Sequence, residues 1–235
     1  MLQRSAVVVV ACALMATNVQ GTVIDSFDTA AQSLSVSPKK TALEQVSLDS
    51  SAGLGGYRDL TLQWLNGRTA FVDVLTEAFW TGLSFTQGTS EAKLKVTWDG
   101  SDSPGVLDYA LGANLTAAGQ DRLQFDVAEV TGTGLTMTIT VYTDASHAST
   151  YTSFVTAGTT GVLEVTYASF ASSGTSGAAN FSNIGAIVLE FNGAGHSGSD
   201  ITISQIETAV PEPSTIAMAA VCGLALMGLS RRRKA

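Results

Sequence analysis

The chain has 235 residues and a formal net charge of −8; 45% of its residues are apolar and only 14% are charged. Intrinsic disorder needs low hydrophobicity with high net charge, so it is excluded, and the length allows one sizeable domain or at most two small ones. Between Thr22 and Val210 seven Lys and Arg stand against 19 Asp and Glu, a net of −12, which repels phosphate backbones and excludes a nucleic-acid partner.

The N-terminus reads as a secretory signal. Arg4 supplies the positive start, Ser5 to Ala16 form a twelve-residue apolar core, and Val19 and Gly21 suit the −3 and −1 positions for cleavage before Thr22. Twelve residues are too few to span a bilayer comfortably. Val9-Val10-Ala11-Cys12 also fits a lipobox formally, but the apolar run continues through Leu14 and Met15, where a lipoprotein turns polar.

The body from Thr22 to Thr208 shows alternation instead of helical periodicity. Ile24 to Asp28 opens it as a first strand. Ala30 to Ser33 reads as a minor helical turn. Strands follow at Tyr57 to Leu65, Phe71 to Leu75 and Ala92 to Trp98, then a second helical turn at Asn114 to Ala118. Leu123 to Val130 and Leu135 to Tyr142 alternate cleanly about Gly132-Thr133-Gly134, which predicts a hairpin. Further strands are predicted at Thr150 to Val155, Val162 to Tyr167, Ile184 to Phe191 and Ile201 to Ile206, with Gly-, Ser- and Asn-rich turns between them. Ten or more short strands over this length predict an all-β fold, an antiparallel jelly-roll β-sandwich, and not an immunoglobulin-type module. The opening Ile24-Asp25-Ser26-Phe27-Asp28 and the closing Asp200 to Ile206 resemble the first and last strands of jelly-roll carbohydrate-binding domains. That resemblance implies that the termini lie side by side.

The C-terminus is the most specific signal. Pro211-Glu212-Pro213 enforces extended backbone. Ser214 or Thr215 can cap a helix, and Thr215 to Leu229 gives fifteen residues of apolar helix, followed by Arg231, Arg232, Arg233 and Lys234. A helix that short is about 22 Å long, and snorkelling basic side chains make up part of the difference from the bilayer core. The basic cluster holds its end in the cytoplasm, leaving the body outside. The three elements in this order resemble the PEP-CTERM sorting signal of Gram-negative bacteria. The resemblance implies recognition by an exosortase, a membrane-embedded cysteine transpeptidase that cuts near Pro211-Glu212-Pro213, and only transient residence in the inner membrane. The predicted organisation is a signal peptide at 1–21, a β-sandwich ectodomain at 22–208 and a sorting signal at 209–235. Cys12 and Cys222 both fall in the discarded ends, so the mature body is free of cysteine and of disulfides.

Within the body, His147 and His196 sit in polar turns with no nucleophile at recognisable spacing, and no G-x-S-x-G, H-E-x-x-H or P-loop pattern occurs. Glu164 and Glu190 are a carboxylate pair of the kind a glycoside hydrolase needs, though each reads better as an outward residue of a half-buried strand. Asp25, Asp28 and Asp200 could hold a structural calcium ion if the first and last strands are neighbours; otherwise the sequence calls for no cofactor and no metal. Trp64 and Trp98 alternate in phase with apolar neighbours and are expected in the core. Trp80 is the expected exposed aromatic, the one candidate platform for a sugar ring. The sequence therefore predicts a non-catalytic, exported cell-surface or extracellular-matrix protein with a structural or adhesive body, and an exopolysaccharide among its partners. A carbohydrate-binding module is the alternative, with a glycoside hydrolase third.

Overall fold

The computed structural model describes residues 21–47, 53–77, 80–101, 103 and 105–210. The signal segment, Cys12 and everything from Pro211 onward lie outside the described residues. Gly21–Ala209 forms one compact unit, built of two seven-stranded antiparallel sheets.

The first sheet contains β1 (Val23–Asp25), β2 (Gln32–Val36), β5 (Ala70–Glu77), β6 (Trp80–Thr86), β8 (Arg122–Val130), β11 (Gly161–Thr166) and β14 (Asp200–Ala209). The second contains β3 (Thr41–Ser47), β4 (Tyr57–Asn66), β7 (Glu91–Trp98), β9 (Leu135–Tyr142), β10 (Ala148–Val155), β12 (Ala171–Ser172) and β13 (Ala186–Asn192). The strand order is β11-β8-β14-β6-β5-β2 in the first sheet, with β1 also on β14, and β12-β10-β9-β13-β7-β4-β3 in the second. The central four of each sheet match rung for rung. β8 continues into β9, β13 into β14, β6 into β7 and β4 into β5, so each rung is one chain crossing from sheet to sheet. This is a sandwich that wraps in the jelly-roll manner.

Alternation explains the layers. In β9 the inward Leu135, Met137, Ile139 and Val141 are buried while the threonines between them are half-exposed. They meet Leu83, Phe85, Leu123, Phe125, Ile201 and Ile203 of the facing sheet in one continuous core, as side-chain period 2 requires when one face of each sheet is covered. Trp98 is fully buried. Trp64 packs against the core but stays half-buried, its Nε1 donating to the Gly67 carbonyl at 3.3 Å.

Three sequence expectations are corrected. β8 and β9 are not a hairpin: β8 pairs with β11 and β14, β9 with β10 and β13. Both strands bury an apolar face, and Gly132 (φ 74°) and Gly134 (φ 91°) turn the chain across the core instead of back along one sheet. Ala30 to Ser33 does not form a helical turn; Gln32 begins β2, where its inward polar side chain hides the strand pattern. The turn expected at Asn114 to Ala118 is a short 3₁₀ segment at Ala117–Gly119. β3, β6 and β12 were not anticipated.

The expected pairing of the first and last strands is present: Val23 lies opposite Glu207 and Asp25 opposite Ile206.

Candidate functional site

The chain leaves the sandwich through β14, which is held on both sides up to its last residue. Ala209 faces Arg122 of β8, and its carbonyl accepts from the Asp121 N–H at 3.0 Å. On the other side the Thr208 N–H donates to the Thr22 carbonyl at 2.9 Å, while the Thr22 N–H donates to Thr208 Oγ1 at 2.8 Å. Thr208 is buried. Only Val210 separates this clasp from Pro211 in sequence. Pro211, Glu212, Pro213 and the basic residues Arg231 to Lys234 themselves lie outside the described residues. Among those that are described, no helix is long and apolar enough to cross a membrane.

The N-terminal strand is fixed to the opposite sheet by a buried polar cluster that the sequence reading missed. Arg58 of β4 points inward, and its Nη1 donates to both carboxylate oxygens of Asp25 at 3.0 Å. Trp98 Nε1 and the Phe27 N–H also donate to that carboxylate, each at 2.9 Å. The rest of the guanidinium is satisfied by Gln32 Oε1 and the Ala30 carbonyl, both at 2.6 Å, and it lies over the Phe27 ring. Burial pushes the Asp25 carboxyl above the ordinary carboxylate range, against the opposing pull of Arg58 and the N–H donors. The network also holds Phe27 and Ala30 at positive φ, a conformation that persists only where the surroundings enforce it.

This cluster removes the calcium expectation. Asp25 is consumed by Arg58, and Asp28 accepts from Ser26 Oγ. Asp200 sits at the opposite end of β14 from the Asp25 pairing, about 20 Å away along the strand, where it accepts from the Gln87 N–H. The three carboxylates do not meet, and no group of three metal-ligating side chains occurs among the described residues.

The carboxylate pair fares the same way. Glu164 lies on the outer face of the first sheet, paired with Arg122 at 2.6 Å; Glu190 lies on the outer face of the second, paired with Lys93 at 2.9 Å. With the whole sandwich between them they cannot flank one glycosidic bond. His147 caps its own turn against Asp144, whose carboxyl is held well below the usual range by donors from Ser146 and His147. His196 packs on the exposed ring of Phe154 and contacts Thr133. The backbone of Trp80 starts β6, and its side chain lies outside what is described.

No curated protein matches the sequence. Among solved structures, the chain is similar to CtCBM11 in solution, with TM-score 0.45 and 12% identity over 84% of this chain and 99% of that one. It is also similar to the family 11 carbohydrate-binding module from Clostridium thermocellum in complex with a β-1,3-1,4-mixed-linked tetrasaccharide, with TM-score 0.42 and 14% identity over 83% and 99%. An agarase, AgWH50C, is similar with TM-score 0.41 and 11% identity over 64% of this chain and 22% of that one. The sugars and activities named there belong to those proteins. The tail gives the specific match: residues 209–234, starting at the last residue of β14, match the PEP-CTERM protein-sorting motif.

Proposed function

We propose that this chain is an exported protein whose tail is its address. Residues 1–21 direct secretion, residues 215–229 hold the chain briefly in the inner membrane with Arg231 to Lys234 on the cytoplasmic side, and an exosortase cuts near Pro211-Glu212-Pro213. The enzyme's cysteine takes the acyl group as the peptide bond breaks, and water or an amine then releases or re-attaches the body. The body, residues 22–208, ends at the cell surface or in the extracellular matrix as a structural or adhesive component.

The sorting motif at 209–234 carries this reading. The body supports it by needing no oxidative staple, since it buries one continuous apolar core between its two sheets. A non-catalytic body is favoured by the separation of Glu164 from Glu190 on opposite faces. The test is the intact mass of the secreted protein. A C-terminus near Pro211 is expected, with Pro211→Ala/Pro213→Ala leaving the chain uncut in the membrane fraction; a secreted form that still contains Arg231 overturns the processing.

A further inference from the structure

The charges in the described loops of the body differ between its two ends. At the end where the chain leaves through Ala209, the described loops carry Asp28, Asp99, Asp108, Asp121 and Asp144 and no Lys or Arg. The opposite end is closed by six crossings between the sheets, residues 37–40, 67–69, 87–90, 131–134, 156–160 and 193–199. Those six contain Lys39, Lys40 and Arg68 and not one carboxylate.

The three cations share one corner. Val36 pairs with Ala70 and Thr41 with Gln63, so the 37–40 and 67–69 turns lie side by side, and the Trp64 N–H donates to the Lys40 carbonyl. All three side chains are exposed. The carboxylates nearest this end are on strands. Glu91 stands opposite Asn66, Asp200 is two strands from β5 and already accepts from Gln87 and Thr131, and Glu129 is three strands away on β8. Three strand spacings are about 14 Å, which puts Glu129 beyond the ~8 Å screening length at physiological salt, while Glu91 stands one strand spacing from Asn66.

The backbone supplies a second observation. Ser37-Pro38-Lys39-Lys40 is a tight turn, closed by the Lys40 N–H on the Ser37 carbonyl, and Lys39 sits at φ 64° in the position that favours glycine. The turn fixes Lys39 at the exposed tip of this corner.

We infer that this corner is an anion-binding cap for an acidic polysaccharide, a carbohydrate polymer bearing carboxylates, which it meets end-on because the rest of the surface, with its net negative charge, repels a polyanion. The inference rests on the body's proposed place in the extracellular matrix; the corner lies at the end of the sandwich opposite Ala209. Arg68 offers paired N–H donors to a carboxylate, the lysines add point charges, and the Ser, Thr and Gly of the neighbouring crossings suit sugar hydroxyls. A second copy docking its acidic end here is the weaker partner, because those aspartates already serve their own loops. Asp99 accepts from the Ser101 and Asp108 N–H groups, Asp108 from Tyr109, Asp121 from Arg122 and Asp144 from Ser146.

The test is native electrophoresis of the secreted protein through gels containing alginate or neutral dextran. Alginate is expected to retard the wild type and dextran to leave it unchanged. K39E/K40E/R68E should weaken alginate binding at least about tenfold, as should a rise to about 0.5 M salt. Lys39→Gly should weaken it too while raising Tm by about 2 °C, since it relieves the left-handed turn. Retardation that survives the triple reversal, equal retardation by dextran, or no retardation by alginate overturns the proposal. So does light scattering that shows a salt-sensitive dimer lost in the same variant, which would give the corner to a second copy. An uncut tail by mass would sink the sorting reading alone, because the gels report on the body whichever way the tail is handled.

Discussion

At the scale of single residues, Arg58 ties the N-terminal strand to the opposite sheet. Its guanidinium is fully buried and meets a carboxylate, an amide, a carbonyl and a ring. Such a pair contributes little net stability compared with an apolar replacement, but breaking it leaves a charge with no partner in the core. Arg58→Ala should therefore cost about 3–5 kcal/mol in denaturant unfolding, and adding Asp25→Ala should recover part of that loss. A double variant that adds the two single costs would show the groups to be uncoupled. None of this was legible in the sequence, where Arg58 is one arginine in Tyr57 to Leu65 and Asp25 is one acid among many. Charge carries no periodicity, and a buried ion pair between residues 33 positions apart leaves no local signature. Trp98 was legible because its inward phase matches Leu94 and Val96. The same argument overstated Trp64, which is near the end of β4, where the register slips between Trp64 and Asn66 and the core thins.

At the scale of elements, most strands were written locally, while partnership was legible for the first and last strands but not for the middle of the sheets. Leu135 to Tyr142 was read to the residue, because its alternation is uninterrupted. The partner was misassigned because a short glycine turn between two alternating strands looks the same whether the chain folds back or crosses over. What separates the two outcomes is the close approach of distant backbone. A Cβ on Gly132 would fall 2.1 Å from the Gly198 carbonyl oxygen, in the loop that leads into β14. The crossing thus depends on Gly132 leaving room for the backbone of a loop 66 residues further along the chain. Gly132→Ala combines this clash with an unfavourable positive φ and should destabilise by at least about 2 kcal/mol. Gly158→Ala is the control: it shares the positive φ but meets nothing within 4 Å, so it should lose only the smaller, conformational part. β3 escaped the sequence reading for a different reason. It is an edge strand on β4 alone, and its Ala, Glu and Gln have weak β-propensity, so tertiary pairing decides its state.

At the scale of the whole molecule, the position of the last strand constrains where the tail can be removed. β14 is not an edge. It runs through the first sheet between β8 and β6, with β1 continuing along its second half. A cut within β14 would open a core sheet and release the N-terminal strand with it, whereas a cut after Ala209 leaves every ladder intact. The match to the sorting motif begins at Ala209, the last paired residue of the ladder. A chain ending at Val210 should then melt within about 2 °C of the full-length protein. One ending at Gln205 loses the buried Ile206 and Thr208, the β1 pairing and half of the β8 pairing, and should show no cooperative transition at all. Circular dichroism melts of the two truncations decide this without any enzyme. If the shorter chain still melts cooperatively near the full-length midpoint, the second half of β14 is dispensable, and the body places no limit on a cut after Gln205.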